Sequence, residues 1–363
     1  MKPADLVAAL SAYNGRPLTF MEVCGTHTAA ISECGIPSLL PPTIRLISGP
    51  GCPVCVTVSA YIDRLIELAT APNTCVVSFG DLLRVKGSRG DLRSTIGARV
   101  EMVYTPFKAL ELAENDPDTT YVFAAVGFET TAPLYALLVE QILARKLTNL
   151  KLLTALKTMP AVIRTLCKEE NAGGNTCVSA SGNACTADFV SALDGFIAPG
   201  HVATVTGSGL FEALAKETGK PFAVAGFTAP SLLAAIWALV KSVGSSGSYN
   251  FYPSAVTVEG NREALAKVER YFEPCTASWR GLGAIPNSGL RLRAEFAHLD
   301  AGSDTLTEDH IPTGCHCGQV IAGKCAPADC PMFGKVCTPE NPFGACMVSM
   351  EGACYHHYIN DRR

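Results

Sequence analysis

The stretch 121-YVFAAVGFETTAPLYALLVEQI-142 decides the fold. It opens on an unbroken apolar run with β-branched and aromatic members, as in a strand buried on both faces. Gly127-Phe128-Glu129-Thr130-Thr131 supplies turn chemistry. Ala132-Pro133 then begins a helical pattern, with proline where the first helical turn tolerates it. Buried strand, short turn and helix make half of a parallel βαβ unit.

The same grammar extends outward. The runs 74-TCVVSFG-80, 194-DGFIAPG-200 and 221-PFAVAGF-227 read as further buried parallel strands, with helices at 56-VTVSAYIDRLIELAT-70 and 208-SGLFEALAKETG-219 between them. The segment 222-FAVAGFTAPSLLAAIWALV-240 echoes the opening stretch, either as a structural repeat or through convergence on the same βα-turn chemistry. Residues 241-KSVGSSGSYN-250 read as a connection, and 252-YPSAVTVEG-260 and 288-SGLRLRAEF-296 as strands. The class is therefore doubly wound α/β.

Bulk properties narrow the function. At 363 residues the chain exceeds one hydrophobic core, so two or three domains are expected. Hydrophobic residues make up 48% and charged residues 17%, a globular composition. The net charge of −4, with no basic run, argues against a nucleic-acid partner. The N-terminus 1-MKPADLVAALSAYNGRPLTF-20 lacks a signal pattern. The apolar helix 229-APSLLAAIWALV-240 is too short to span a bilayer. A cytoplasmic protein away from the membrane is expected. Sixteen cysteines in such a chain point to metal or redox chemistry rather than a disulfide framework. Seven of them crowd into the last 49 residues, where Cys, Pro and Gly leave little room for regular structure.

Several constellations carry chemistry. In 49-GPGCPVC-55, Cys52 and Cys55 follow a glycine turn and precede a helix. Pro53 suits a first helical turn, where a thiol meets the positive end of the dipole and its pKa falls. A packed thiol pair and half of a zinc site are the alternatives, but no matching knuckle occurs elsewhere. In 24-CGTHTAAI-31, Cys24 and His27 follow the apolar stretch 18-LTFMEV-23, at the strand end where open α/β sheets bind ligands. A core thiol and a helix-capping histidine would produce the same pattern. Glu129, in 127-GFETTAP-133, follows a buried strand as either a helix N-terminal charge or a functional carboxylate. His201, in 199-PGHVATVTG-207, follows another. Together these six residues are expected to line one cleft. The tail 315-CHCGQVIAGKCAPADCPMFGKVCTPENPFGACMVSMEGAC-354 has wide spacings with prolines beside cysteines, which suit an iron–sulfur cluster better than paired zinc knuckles.

The segments 24-CGTHTAAI-31, 49-GPGCPVCVT-57, 79-FGDLLRV-85, 127-GFETTAP-133, 199-PGHV-202, 279-WRGLGAIPNSGL-290 and 335-KVCTPENPFGACMVSMEGAC-354 stand in order along nearly the whole chain. Together they resemble the HypD family of [NiFe]-hydrogenase maturation proteins. Val58 and Lys86 stand where the family commonly has proline, which touches loop shape and replaces no thiol, histidine or acid.

The resemblance implies a scaffold for assembly of the Fe(CN)2CO unit, working with a HypC chaperone and receiving cyanide from HypE. It implies two Rossmann-like α/β domains around a central cleft, 1–118 and 119–245, and a C-terminal region, 246–363, ending in a cysteine-rich [4Fe-4S] domain. The family's cluster pattern falls on Cys315, Cys330, Cys337 and Cys354, with Cys317 competing with Cys315. Cys317 and Cys346 remain as a candidate redox disulfide, and Cys325 as an extra. Cys24 is the expected ligand to the precursor iron, with His27 beside it as ligand or orienting donor. Two rival classes remain: a thiol–disulfide oxidoreductase fed by an iron–sulfur cluster, and a plain iron–sulfur electron carrier.

Overall fold

The computed structural model describes residues 2–171 and 193–360. The chain folds as two compact units, each assembled from separated stretches. The first gathers Met1–Cys52, Ile163–Arg262 and Thr313–Arg363, and the second Pro53–Val162 and Glu263–Pro312. In chain order the strands are β1 (Leu18–Glu22), β2 (Ile44–Ser48), β3 (Thr74–Ser78), β4 (Val100–Met102), β5 (Thr120–Gly127), β6 (Leu150–Lys157), β7 (Gly195–Ala198), β8 (Phe222–Ala225), β9 (Ser248–Phe251), β10 (Phe272–Trp279) and β11 (Gly283–Leu292).

The first unit contains a parallel sheet of order β2-β1-β7-β8-β9. Every residue of β1, β7 and β8 is buried, as the unbroken apolar runs require. The helices Pro3–Ser11 and Ala229–Ser242 press Leu6, Leu10, Leu232 and Ile236 onto Phe20, Ile197 and Ala225. Each such side chain contributes about 1.5–3 kcal/mol when fully buried. The cysteine-rich tail belongs to this unit and stands on the same sheet. Gly323 packs against Met21 and Ile47, at a position with φ +70° that only glycine adopts without strain.

The second unit contains a mixed sheet of order β10-β11-β6-β5-β3-β4. Its β6-β5-β3-β4 part is parallel, and β11 runs antiparallel to both β6 and β10. The opening stretch forms β5 and the helix Ala132–Ala144, whose Leu138, Val139 and Ile142 are buried. Its echo forms β8 and Ala229–Ser242, so the two related βα units sit in different sheets.

Two expectations shift, and one strand carries a proline. Residues 252–260 form turns, and the strand β9 lies just before them, within the expected connection. Pro253 cannot donate to a ladder, and the Asn250 carboxamide accepts the Tyr252 N–H at 2.8 Å, ending the strand. The strand β10 contains Pro274, tolerated because β10 lies on the sheet edge. The helix expected from residue 56 spans Ser59–Thr70, with Val58 extended as its N-cap. Among the described residues no helix is long and apolar enough to cross a membrane.

Candidate functional site

The carboxyl ends of β1, β7 and β8 converge in the first unit and carry the sequence signals expected there. Cys24 caps the helix Gly25–Glu33, with extended backbone at φ −151° and ψ 117°. Its N–H donates to Glu22 Oε2 at 2.9 Å, and Thr28 Oγ1 donates to Glu22 Oε1 at 2.5 Å. Gly51 packs flat on the Cys24 backbone, and Gly25 N donates to Gly51 O at 3.0 Å. The first thiol of the CxxC motif, Cys52, therefore enters one residue from this contact.

The site is buried and acidic. Burial pushes Glu22 up to about 7, with Glu351 adding in the same direction and bonds from Thr28, Cys24 and Ser48 opposing. Burial pushes the Cys24 thiol up to about 12, opposed by the backbone N–H groups of His27 and Thr26 and reinforced by Glu22 and Glu351. Cys24 is a protonated thiol at neutral pH, but its sulfur makes no cap hydrogen bond and has two carboxyls nearby. Such surroundings favour a soft cation that displaces the proton.

The two histidines frame Phe227. The His27 ring lies 4.8 Å from it and the His201 ring 4.1 Å. His27 is fully buried, with Nε2 at 3.1 Å from Ala225 O, and burial lowers its pKa to about 4. Its Nδ1 has no hydrogen-bond partner among the described residues. His201 is half-buried, which lowers its pKa, and its Nδ1 lies 3.5 Å from Thr26 Oγ1. That hydroxyl also donates to Glu351 Oε1 at 3.2 Å, tying the tail to the Cys24 helix. Cys24, His27 and His201 thus share one end of one sheet, with Glu22, Thr28, Phe227 and Glu351 around them. Of these additions only Glu22 left a signal, as a charge inside the apolar run 18-LTFMEV-23.

Cys55 and Glu129 belong to the second unit. Glu129 Oε1 accepts the Met159 N–H at 2.7 Å, at the start of the helix Met159–Asn171, while Oε2 is buried without a partner. Burial raises its pKa from 4.5 to about 7. The folded value lies above the unfolded one, so its contribution to stability is lost as pH rises between them. The loss amounts to about 3 kcal/mol. In chemical denaturation at about pH 5 and about pH 8, Glu129→Gln is expected to flatten this part of the wild-type dependence. An unchanged slope would show that Glu129 is not the titrating group.

The CxxC motif differs from its expected state. Cys52 and Cys55 are both disulfide-bonded and buried, not activated thiols at a helix start. Residues 53–56 form turns, and Thr57 Oγ1 donates to Pro53 O at 2.8 Å, so the helix begins only at Ser59. In this oxidised state no thiol proton remains for the helix dipole to act on.

The tail thiols form a connected group. Cys317 Sγ and Cys346 Sγ stand 3.2 Å apart as free thiols. Cys315 lies beside Cys317 and Cys330, and its interaction with Cys330 lowers the Cys330 thiol while raising its own. Cys346 bonds Cys354 as well as Cys317, which with burial raises its pKa. Phe343 N donates to Cys337 Sγ at 3.3 Å. A Cβ on Gly344 would stand 2.9 Å from Cys315 Sγ and 3.0 Å from Cys317 Cβ, so glycine keeps the space between the sulfurs clear. Thiols supplied with backbone donors and a glycine-lined gap fit a four-thiolate group. Among the described residues no three His, Cys, Asp or Glu side chains already stand as a metal site.

The HypD family model, with the description "Hydrogenase formation hypA family", matches residues 3–361. The chain is similar to the hydrogenase maturation factor HypD of Rhizobium leguminosarum bv. viciae, at 40% identity over 356 residues, covering 96% of this chain and 89% of that protein. It is 41% identical over 357 residues to the HypD of Azotobacter vinelandii, covering 96% and 90%. For the HypD of Escherichia coli (strain K12) the identity is 37% over 356 residues, covering 94% and 89%. With the family pattern matched over nearly its whole length, the chain belongs to the HypD family of hydrogenase formation proteins.

Proposed function

We propose that this chain is the scaffold on which the Fe(CN)2CO unit of [NiFe]-hydrogenase is assembled, with Cys24 holding the iron as cargo. A HypC-type chaperone shares that iron and a HypE-type protein delivers the cyanide. The observation carrying this reading is the Cys24 sulfur, buried at a helix start, making no cap hydrogen bond of its own, with Glu22 and Glu351 nearby. Iron(II) bearing cyanide and CO is a soft centre, for which thiolate is the fitting protein ligand. His27, neutral and with Nδ1 unbonded, orients the site or donates to it.

Cys315, Cys330, Cys337 and Cys354 would hold a [4Fe-4S] cluster, which when bound supplies electrons one at a time. Cys317 and Cys346 are a dithiol ready to close: forming their disulfide releases two electrons and two protons. Mild oxidation of the protein with diamide is expected to join Cys317 to Cys346 before other tail pairs. Peptide mapping by mass spectrometry checks this, and a first crosslink elsewhere refutes it.

The deciding experiment is co-production with a HypC-type chaperone and a HypE-type donor, followed by iron analysis and infrared spectroscopy of the purified complex. One iron beyond the cluster, with bands in the cyanide and CO regions, is the expected result. A complex with neither overturns the proposal. A second reading, thiol–disulfide oxidoreductase, is favoured by the oxidised Cys52 and Cys55. It requires insulin reduction by the isolated chain, without the chaperone.

A further inference from the structure

The second unit holds a cavity of about 190 Å³ that the proposed chemistry leaves unused. It opens at the end of β6, between β10, β11 and the loop 303–307. Lys157, the last residue of β6, lines it and is 3% exposed. A lysine so deeply buried normally has an acceptor for its protons. No acceptor among the described residues takes those of Lys157, whose ammonium lies 5.8 Å from the centre of the Trp279 ring.

A second cation lies close by. Arg280 is 1% exposed, its Nε donates to Thr57 O at 2.8 Å, and its Nη2 is buried without a partner. Asp309, 3.7 Å from Arg280 Nε, is the acid near both cations. Burial lowers the Lys157 pKa to about 8, Arg280 lowers it further, and Cys275 and Asp309 oppose.

The other titratable groups around the cavity do not change this balance. Burial raises the Cys275 thiol's pKa, and Tyr61 donates its hydroxyl to Leu153 O at 2.7 Å. Arg291 and Asp304 lie in the lining and attract one another, while Arg291 and Arg293 also stand against Glu273 outside it. Arg291 and Asp304 offset one another in the lining, and Arg280 and Asp309 behind it, so the positive charge of Lys157 remains uncompensated in a space of low dielectric.

We propose that this cavity binds a small monocarboxylate, its carboxylate on Lys157 and its carbon chain against Leu156, Leu290 and Leu306. One uncompensated charge calls for a monoanion. Asp304 in the lining disfavours a dianion such as hydrogen phosphate. The leucines give a short alkyl chain somewhere to go, which favours a carboxylate with a tail over a bare halide.

Trp279 reports on the site, since the only other tryptophan is Trp237. The full-length Trp237→Phe protein is titrated with sodium acetate, butyrate and phosphate at fixed ionic strength, following tryptophan fluorescence. Saturable binding is expected, with butyrate tighter than acetate and phosphate weakest. Lys157→Met should weaken butyrate binding at least about tenfold, as loss of a charge-assisted bond predicts, and Lys157→Arg should retain most of it. No saturation by either carboxylate, phosphate binding tighter than both, or equal binding by Lys157→Met would each overturn the proposal. If Lys157→Met fails to fold, the wild-type Tm decides. Butyrate should raise it relative to chloride at equal ionic strength, and no rise refutes the site.

Discussion

Cys24→Ser is expected to abolish iron loading while leaving the fold in place. Serine has almost the shape of cysteine and is a favoured residue at the N-cap position that Cys24 occupies. What it lacks is a soft donor: a hydroxyl neither gives up its proton to iron as a thiol does nor binds iron bearing cyanide and CO well. The infrared bands of the chaperone complex should fall to background, with Tm changed by no more than about 4 °C. Cys24→Ala is the harsher variant, because alanine offers no acceptor at an N-cap and costs about 1 kcal/mol relative to serine there. Cyanide and CO bands of wild-type intensity in Cys24→Ser would place the iron elsewhere.

Gly51→Ala should damage both the fold and the iron site, although Gly51 is no ligand. A Cβ there would collide with Cys24 N and stand 2.5 Å from Cys24 Cα and Val23 C. These are backbone atoms at the end of β1 and cannot rotate away. The surrounding loop is pinned as well, with Gly49 N bonded to Glu22 O at 2.7 Å and Gly51 N to Gly49 O at 2.8 Å. Displacing it should cost about 3 kcal/mol, the upper end of ordinary overpacking, and should lower iron content in parallel. Denaturant titration together with iron analysis separates this from Cys24→Ser, which loses iron alone. A Gly51→Ala protein of wild-type stability would show that the loop yields at little cost.

The strands β1, β3, β5, β7 and β8 were legible because each is a short apolar run bounded by turn residues, a signal contained within a few positions. Cys24, His27, Glu129 and His201 were legible as candidates for the same reason, since each lies in the turn or first helical turn after such a run. The strand β10 was not, because Pro274 argues against a strand unless it is known to lie on an edge. The turn before Ser59 was hidden too: 56-VTV-58 continues the helical pattern by composition, while the Thr57 hydroxyl bond to Pro53 closes a separate turn.

The sequence by itself determined the local units, the cysteine spacings and the family, because these are carried by neighbouring residues. Tertiary structure alone decided that β1 pairs with β7 although β3 to β6 intervene in the chain, and that the tail's Glu351 reaches Thr26. It also decided the ionisation of the site. Glu22 and Lys157 are ordinary charged residues in the sequence. Their shifts arise only because distant segments close over them and exclude the water that would have stabilised their charged forms.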